Sequence, residues 1–448
     1  MYKKKDQKEP LKLTTNELLA LDISQSKVSI ISSFLSIFMG LMVGLIIMMI
    51  VKPQSSFGGL ATILGGGFIE GTKSLGDMMH YATPLILAGL SVGFAFKAGL
   101  FNIGGAGQIV MGGFMSIFIA VRLPEYADAM GWTWLPDGSI WIIATIGAML
   151  VGAIWAAIPG LLKAYRNVHE VVSTIMMNYV AMYVVQILVK EFVYNSDKNE
   201  SVSVPTQFRM PRFGLESIFS DSLVSGGIVF AIVTAIIMYI LLFKTTFGFQ
   251  IRMVGHNRHA AKYAGVNEKN NIIYTMLIAG ALAGLAGATI YLSPAGRHIE
   301  VVSILVSEGF DGIAVALLGL SHPLGVLFSG LFFGYIKTGG FYLQSWGFDE
   351  QVINIIIASI IYFSALALIF RKRAIQLILL VSKWWHKLYE KVQPIVSKWW
   401  NKFYQKVQPT LSKLWTKISS FFKKLWHKII QWFRKIIGKL KGRGDDHE

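Results

Sequence analysis

The sequence predicts an all-α polytopic membrane protein, and three observations carry that prediction. Hydrophobic residues make up 54% of the 448 and charged residues only 15%, against about 25% charged in a soluble domain. Apolar runs recur along most of the chain, and at about 18 residues or more each is long enough to span a hydrocarbon core as a helix. The alternating segments of about ten residues that mark a membrane β-barrel are not seen.

Three regions follow from composition. Residues 1–29 are polar and basic, residues 30–370 form the transmembrane region, and residues 371–448 form a basic tail rich in Trp and Lys. About ten transmembrane helices are predicted, at 30–51, 81–96, 100–121, 139–162, 171–190, 223–243, 271–292, 302–320, 324–342 and 350–370. The second, third and eighth are rich in Gly or carry charges, which makes them candidates for broken or re-entrant helices. The first apolar run is long enough to be a permanent span rather than a cleaved leader.

Charge orients the chain. Of the 42 Lys and Arg, 19 lie after Phe370, against four acidic residues there. The basic excess therefore belongs to the tail, and the membrane region carries no nucleic-acid footprint. With ten crossings both termini share one side. If that side is cytoplasmic, the inner segments before the tail hold 14 Lys and Arg and the outer loops eight, as the positive-inside rule requires. The outer loop 191–222 holds five acidic residues. Both termini are thus expected in the cytoplasm, with the chain multi-pass in the membrane.

Polar side chains at membrane depth cost about 2.5–3.5 kcal/mol each when charged, so they need a partner, water or a function. Asn102 and Gln108 flank the glycines of "NIGGAG", where unwound backbone is tolerated only under protein or beside a water-filled cavity. This segment either lines a pathway or uses Gly104, Gly105 and Gly107 for close helix packing. Thr174 and Asn178 share a helix face, for a pathway or for an interhelical hydrogen bond. Glu170 suits the positive end of the same helix. Glu308 and Asp311 either meet a substrate hydroxyl near the outer mouth or serve the helix "GIAVALLGL", with capping the favoured role for Asp311.

The stretch "VGHNRHAAKYAG" (254–265) breaks two apolar runs. Asn257 is a good N-cap and Gly265 a good left-handed terminator, so about two turns of helix are expected between them. A helix that short is not stable alone and must dock on something. Ala260, Ala261 and Ala264 give it a narrow face, rimmed by Arg258 and Lys262. A solvated connector is the plain alternative.

This stretch, read from "FGFQIRMVGHNRHAAKYAGVN" with Gly255 inside it, resembles the cytoplasmic coupling loop of bacterial ATP-binding-cassette importer permeases. It is most similar to the family that handles ribose, branched-chain amino acids and nucleosides. "GLFNIGGAGQIVMGG" (99–113), "HEVVSTIMMNYVA" (169–181) and "SEGFDGIAVALLGLSHPLG" (307–325) resemble further signatures of that family, in order, and the resemblance covers roughly residues 30–370. The nucleoside-type permeases are the nearest in these motifs. Ala106 replaces the usual Glu of the first signature, and His169 replaces the usual Asn before Glu170.

The resemblance implies a transport subunit in a bacterial plasma membrane, not an enzyme. It implies separate ATPase subunits that bind ATP and Mg, a second permease subunit (identical or related), and an extracellular substrate-binding lipoprotein. No cofactor is expected in this chain. Its own residues agree on the motor: "GGGFIEGTKS" lacks the Gly-Lys pair of a phosphate-cradling loop. Ribose-like sugars or branched-chain amino acids are the alternative cargo. An ion-coupled secondary transporter is the alternative class, but the inverted repeats of such proteins are not visible. The chain has no cysteine, which excludes disulfides, thiol chemistry and Cys-bound metals.

The tail repeats itself: "VSKWWHKLYEKVQP" (381–394) recurs as "VSKWWNKFYQKVQP" (396–409). Apolar residues fall at helical steps with lysines opposite, the composition of amphipathic helices lying in a membrane interface. Membrane lipids are the expected partner.

Overall fold

The structure, a computed structural model, describes residues 15–132 and 136–366. The chain divides into one unit over Met1–Ala374 and a second over Ile375–Glu448. The amphipathic tail expected over 371–448 and the first part of the basic N-terminus lie outside the described residues.

The described helices are, in order, α1 (Thr15–Val51), α2 (Ser56–Gly65), α3 (Thr72–Lys97), α4 (Gly105–Ala129), α5 (Ile140–Arg166), α6 (Glu170–Phe192), α7 (Gly227–Lys244), α8 (Thr246–His256), α9 (Arg258–Tyr263), α10 (Glu268–Tyr291), α11 (Ser307–Leu318), α12 (Pro323–Phe341) and α13 (Glu350–Ala365). A two-stranded hairpin, β1 (Tyr194–Asn195) and β2 (Glu200–Ser201), sits between α6 and α7. The protein is an all-α polytopic membrane protein. Among the described residues, eight helices are long and apolar enough to cross a membrane. The shorter α11 and α13 add two further legs.

Contacts between helices give their directions. Gly152 of α5 packs on Gly280 of α10, and Gly160 packs on Met276, so the two run antiparallel. A methyl group added at Gly280 would strike the Gly152 backbone and Ala156, so these helices approach to backbone contact, as small residues allow in a membrane. Ile109 of α4 lies against Gly287 of α10, and Gly113 against Tyr291. The two helices are therefore parallel, and Gly105 begins α4 level with the middle of α10. In the same way Gly312 of α11 meets Ala88 of α3, and Val315 meets Gly89. The start of α11 is thus level with the middle of α3. In α12, Gly334 meets Ala82 and Gly330 meets Ile86, which makes it antiparallel to α3.

The broken spans are therefore α4 and α11, whose directions carry the chain across rather than back to the side it came from. Each begins at membrane depth and is reached by non-helical chain, residues 98–104 and 292–306. Three span expectations need correction. The second span is one continuous helix from Thr72, not a broken one from 81. Lys73, Asp77 and His80 make its first turns look like a loop. In the fold Lys73 pairs with Glu70 at 2.5 Å, and Asp77 accepts from the Leu223 N–H at 2.7 Å. The third begins as helix at Gly105 rather than 100, and the eighth is helical only over Ser307–Leu318.

Asp311 does not cap α11. The helix starts four residues earlier at Ser307, with Val306 at the cap position, and Asp311 points instead to Lys337 of α12 at 2.7 Å. Glu170 does open α6, and its carboxylate pairs with Lys163 of α5 at 2.7 Å.

Candidate functional site

Two helix starts meet inside the membrane region. The backbone of Gly309 in α11 lies directly on Ala106 in α4. A helix start leaves unpaired N–H groups, and at this depth they must be satisfied by protein. Asn178 of α6 does so from the side. Its Oδ1 accepts from the Gly107 N–H at 2.8 Å, and its Nδ2 donates to the Ile103 carbonyl at 2.9 Å. Asn102 Oδ1 accepts from the Gly104 N–H at 3.0 Å, and the Asn102 and Gln108 amides bond each other at 3.2 Å. Thr174 donates to the Glu170 carbonyl at 2.8 Å. All four side chains are buried. The fold therefore brings Asn102, Gln108 and Asn178 together as the brace of the α4 start, while the Thr174 hydroxyl is spent on its own helix. Ala106 is buried against α11, so that position presents only a methyl group.

A polar face lies beside this junction. Asp311 and Lys337 form their ion pair with 22% of each side chain exposed. Phe310, their neighbour on α11, is 40% exposed. Toward the end of α3 that begins at Thr72, the side chains of Lys73, Asp77 and Tyr81 follow at four-residue steps. They line a cavity of about 230 Å³ with Thr338 and Tyr342 of the following segment. A partly exposed ion pair at membrane depth is expensive against lipid and natural beside water. Glu308 is buried and bonded to Arg297 at 2.5 Å rather than to Lys337. Glu308 and Asp311, three positions apart on α11, thus bond different partners.

Sequence reasoning missed Lys337, Asp77 and Arg297. Lys337 had a visible signal, a lone cation inside the apolar run "GLFFGYIKTGG".

At the opposite end of α3 lies the short helix α9. Three caps follow one another: Thr245 accepts from the Gly248 N–H at 3.0 Å, Asn257 from the Ala260 N–H at 3.1 Å, and Asn267 from the Asn270 N–H at 3.2 Å. Gly265 takes φ +81°, and the Val266 N–H returns to the Ala261 carbonyl at 3.0 Å. The expected face needs one correction. Ala261 is fully buried against its own chain, while Ala260, Ala264, Lys262 and Tyr263 are exposed, Tyr263 to 95%. Arg258 is half-buried. Gly255, two residues before the cap, has no room for a side chain, because a methyl group there would strike the Lys97 carbonyl and Ala98. Lys97 Nζ in turn donates to the Leu320 carbonyl beyond α11 at 3.4 Å. The segment around α9 therefore bears on one non-helical approach to the junction, the 98–104 stretch, and Lys97 at its edge reaches the far end of α11.

The sequence profile described as branched-chain amino acid transport system / permease component matches residues 74–370. The chain belongs to that permease family. The permease is 37% identical over 320 residues to the guanosine ABC transporter permease protein NupP of Bacillus subtilis, covering 71% of this chain and 88% of that one. It is 34% identical to the nucleoside ABC transporter permease protein NupB of Lactococcus lactis, over 66% of this chain and 80% of that one. It is also 30% identical to the glucose ABC transporter permease protein TsgB13 of Haloferax volcanii, over 66% and 78%. No solved structure matches the permease. The matched region contains the junction, the polar face and α9.

Proposed function

We propose that this permease carries nucleosides inward as the membrane subunit of an ATP-driven importer, with α9 as the seat of a separate ATPase. The observation that carries the reading is the pairing of an exposed knob with a closely packed lever. Ala260, Tyr263 and Ala264 offer a small apolar face with a cationic rim. Gly255, on the same segment, bears on the backbone that leads into α4. A push on α9 is transmitted to residues 97–104 and on to the start of α4 held by Asn178. The similarity to guanosine and nucleoside permeases supports the cargo.

In this reading α9 and both termini face the cytoplasm, where the ATPase subunits bind ATP and Mg. A second permease subunit completes the pathway against the polar face of α3, α11 and α12. A binding lipoprotein delivers the nucleoside from outside. The tail lies along the inner leaflet and is dispensable for transport.

Uptake of radiolabelled guanosine into cells tests the reading. Import is expected to stop on ATP depletion and to survive a protonophore while ATP is maintained. Inhibition by unlabelled nucleosides, and not by unlabelled glucose, ribose or leucine, fixes the cargo. Uptake that survives ATP depletion and collapses with the proton gradient would instead establish an ion-coupled transporter.

A further inference from the structure

A second cavity, of about 460 Å³, lies inside this one chain, away from the polar face. Its volume falls in the range of small-molecule sites, about 300–1,000 Å³. Val110 of α4 and Met182 and Val185 of α6 give it an apolar wall. The strap 292–306 covers it and is tied down along its length. The Met210 N–H donates to the Leu292 carbonyl at 2.8 Å, Arg209 Nη1 to the Pro294 carbonyl at 3.0 Å, and the Val301 N–H to the Asn199 carbonyl at 3.0 Å. The cover is thus a fixed roof.

Gln186, Glu200, Arg297, His298 and Glu300 are among the polar side chains that line the cavity, and Glu200, Arg297 and Gln186 have bonding capacity unspent. The Glu200 carboxylate has no hydrogen bond among the described residues; His298 Nδ1 stands 4.0 Å away. Arg297 bonds Glu308 through Nη1 alone, which leaves its other nitrogens without a protein partner among the described residues. Gln186 donates through Nε2 to the Val302 carbonyl at 2.9 Å, and its Oε1 has no partner there. A carboxylate can accept two adjacent hydroxyls, a guanidinium donates to ring nitrogens and carbonyls, and an amide oxygen accepts from ring or amino N–H groups. An apolar wall with a few convergent polar groups is the composition of a site for a flat heterocycle.

We propose that this intrachain cavity is a nucleoside-holding site separate from the polar face, in which Glu200 accepts the vicinal ribose hydroxyls and the base lies against Val110, Met182 and Val185. The proposal rests on the nucleoside reading above. Arg297 joins the site to α11, because the same guanidinium holds Glu308 in the first turn of that helix.

The test is equilibrium binding of radiolabelled guanosine to the assembled transporter in lipid nanodiscs without ATP, beside uptake in vesicles. Glu200→Gln keeps the shape of the side chain and is expected to raise the Kd for guanosine about tenfold. It should leave the Kd for 2′,3′-dideoxyguanosine unchanged, because that analogue has no diol to lose. Val185→Trp fills the wall and is expected to weaken both ligands. Phe310→Ala, on the polar face, is expected to leave this binding intact. If the parent imports guanosine and both cavity variants bind it as the parent does, the cavity holds only water and the proposal is overturned while the import reading stands. If the parent neither binds nor imports guanosine, both are overturned.

Discussion

Asn178 on α6 holds the first turn of α4 by a two-point bond, accepting from the Gly107 N–H at 2.8 Å and donating to the Ile103 carbonyl at 2.9 Å. One side chain thereby satisfies an unpaired donor in the first turn of α4 and an acceptor on the non-helical approach to it. Replacement by leucine leaves both groups unpaired, at a cost of about 1–3 kcal/mol for each buried group. Asn178→Leu is expected to lower the Tm of the detergent-solubilised protein by several degrees and to abolish uptake. Asn178→Asp keeps the acceptor to Gly107 and should fall between the two. Equal Tm values for the leucine variant and the parent would remove the bracing role.

Lys337 and Asp311 depend on each other. Removing one partner of a well-buried pair costs about 3–5 kcal/mol, and the partial exposure of this pair reduces that. Asp311→Asn and Lys337→Gln are each expected to lower uptake at least tenfold. The double variant should do better than the product of the singles. Strictly multiplicative losses in this double-mutant cycle would mean that the two side chains act independently.

Gly255 tests the lever. Gly255→Val drives a side chain into the Lys97 carbonyl and Ala98, so α9 can no longer rest on the 97–99 backbone. The expected result is normal insertion and ATPase binding, with ATP hydrolysis no longer yielding uptake. Full coupling in this variant would separate α9 from the start of α4.

His322, at the start of α12, gives a pH dependence. Its ring stacks on Phe243 at 5.0 Å. Burial first, and the charge of Lys97 second, hold its pKa below the ordinary value. The unfolded chain therefore binds a proton that the folded one resists. Stability from this group is complete above the unfolded pKa of about 6.5 and falls as pH drops through that value toward the folded one. Thermal stability is expected to decline between pH 7 and pH 5, and His322→Phe should flatten the decline. An unchanged slope in that variant would assign the effect elsewhere.

The elements that were legible in the sequence are those with local causes. Asn257 and Gly265 bound α9 because capping and left-handed turns act over a few residues, and both are where the sequence puts them. The long apolar helices were legible from composition. The breaks in the third and eighth spans were legible from their glycines and charges, but the points where α4 and α11 begin were not, because the same glycine run that opens α4 reads equally as close packing within a span. Asp311 was misread as a cap because its partner, Lys337, is 26 positions away. Ala261 was misread as exposed because a helix of six residues shows no periodicity long enough to say which side faces in.

The most direct measurement uses the absence of cysteine in the chain. Tyr263→Cys becomes a single reporter on the most exposed point of α9. The account predicts that a membrane-impermeant maleimide labels it only from the cytoplasmic side, in inverted vesicles stripped of ATPase, and that restoring the ATPase subunits blocks the labelling. Labelling from outside intact cells, or labelling at full rate in the assembled transporter, would contradict it.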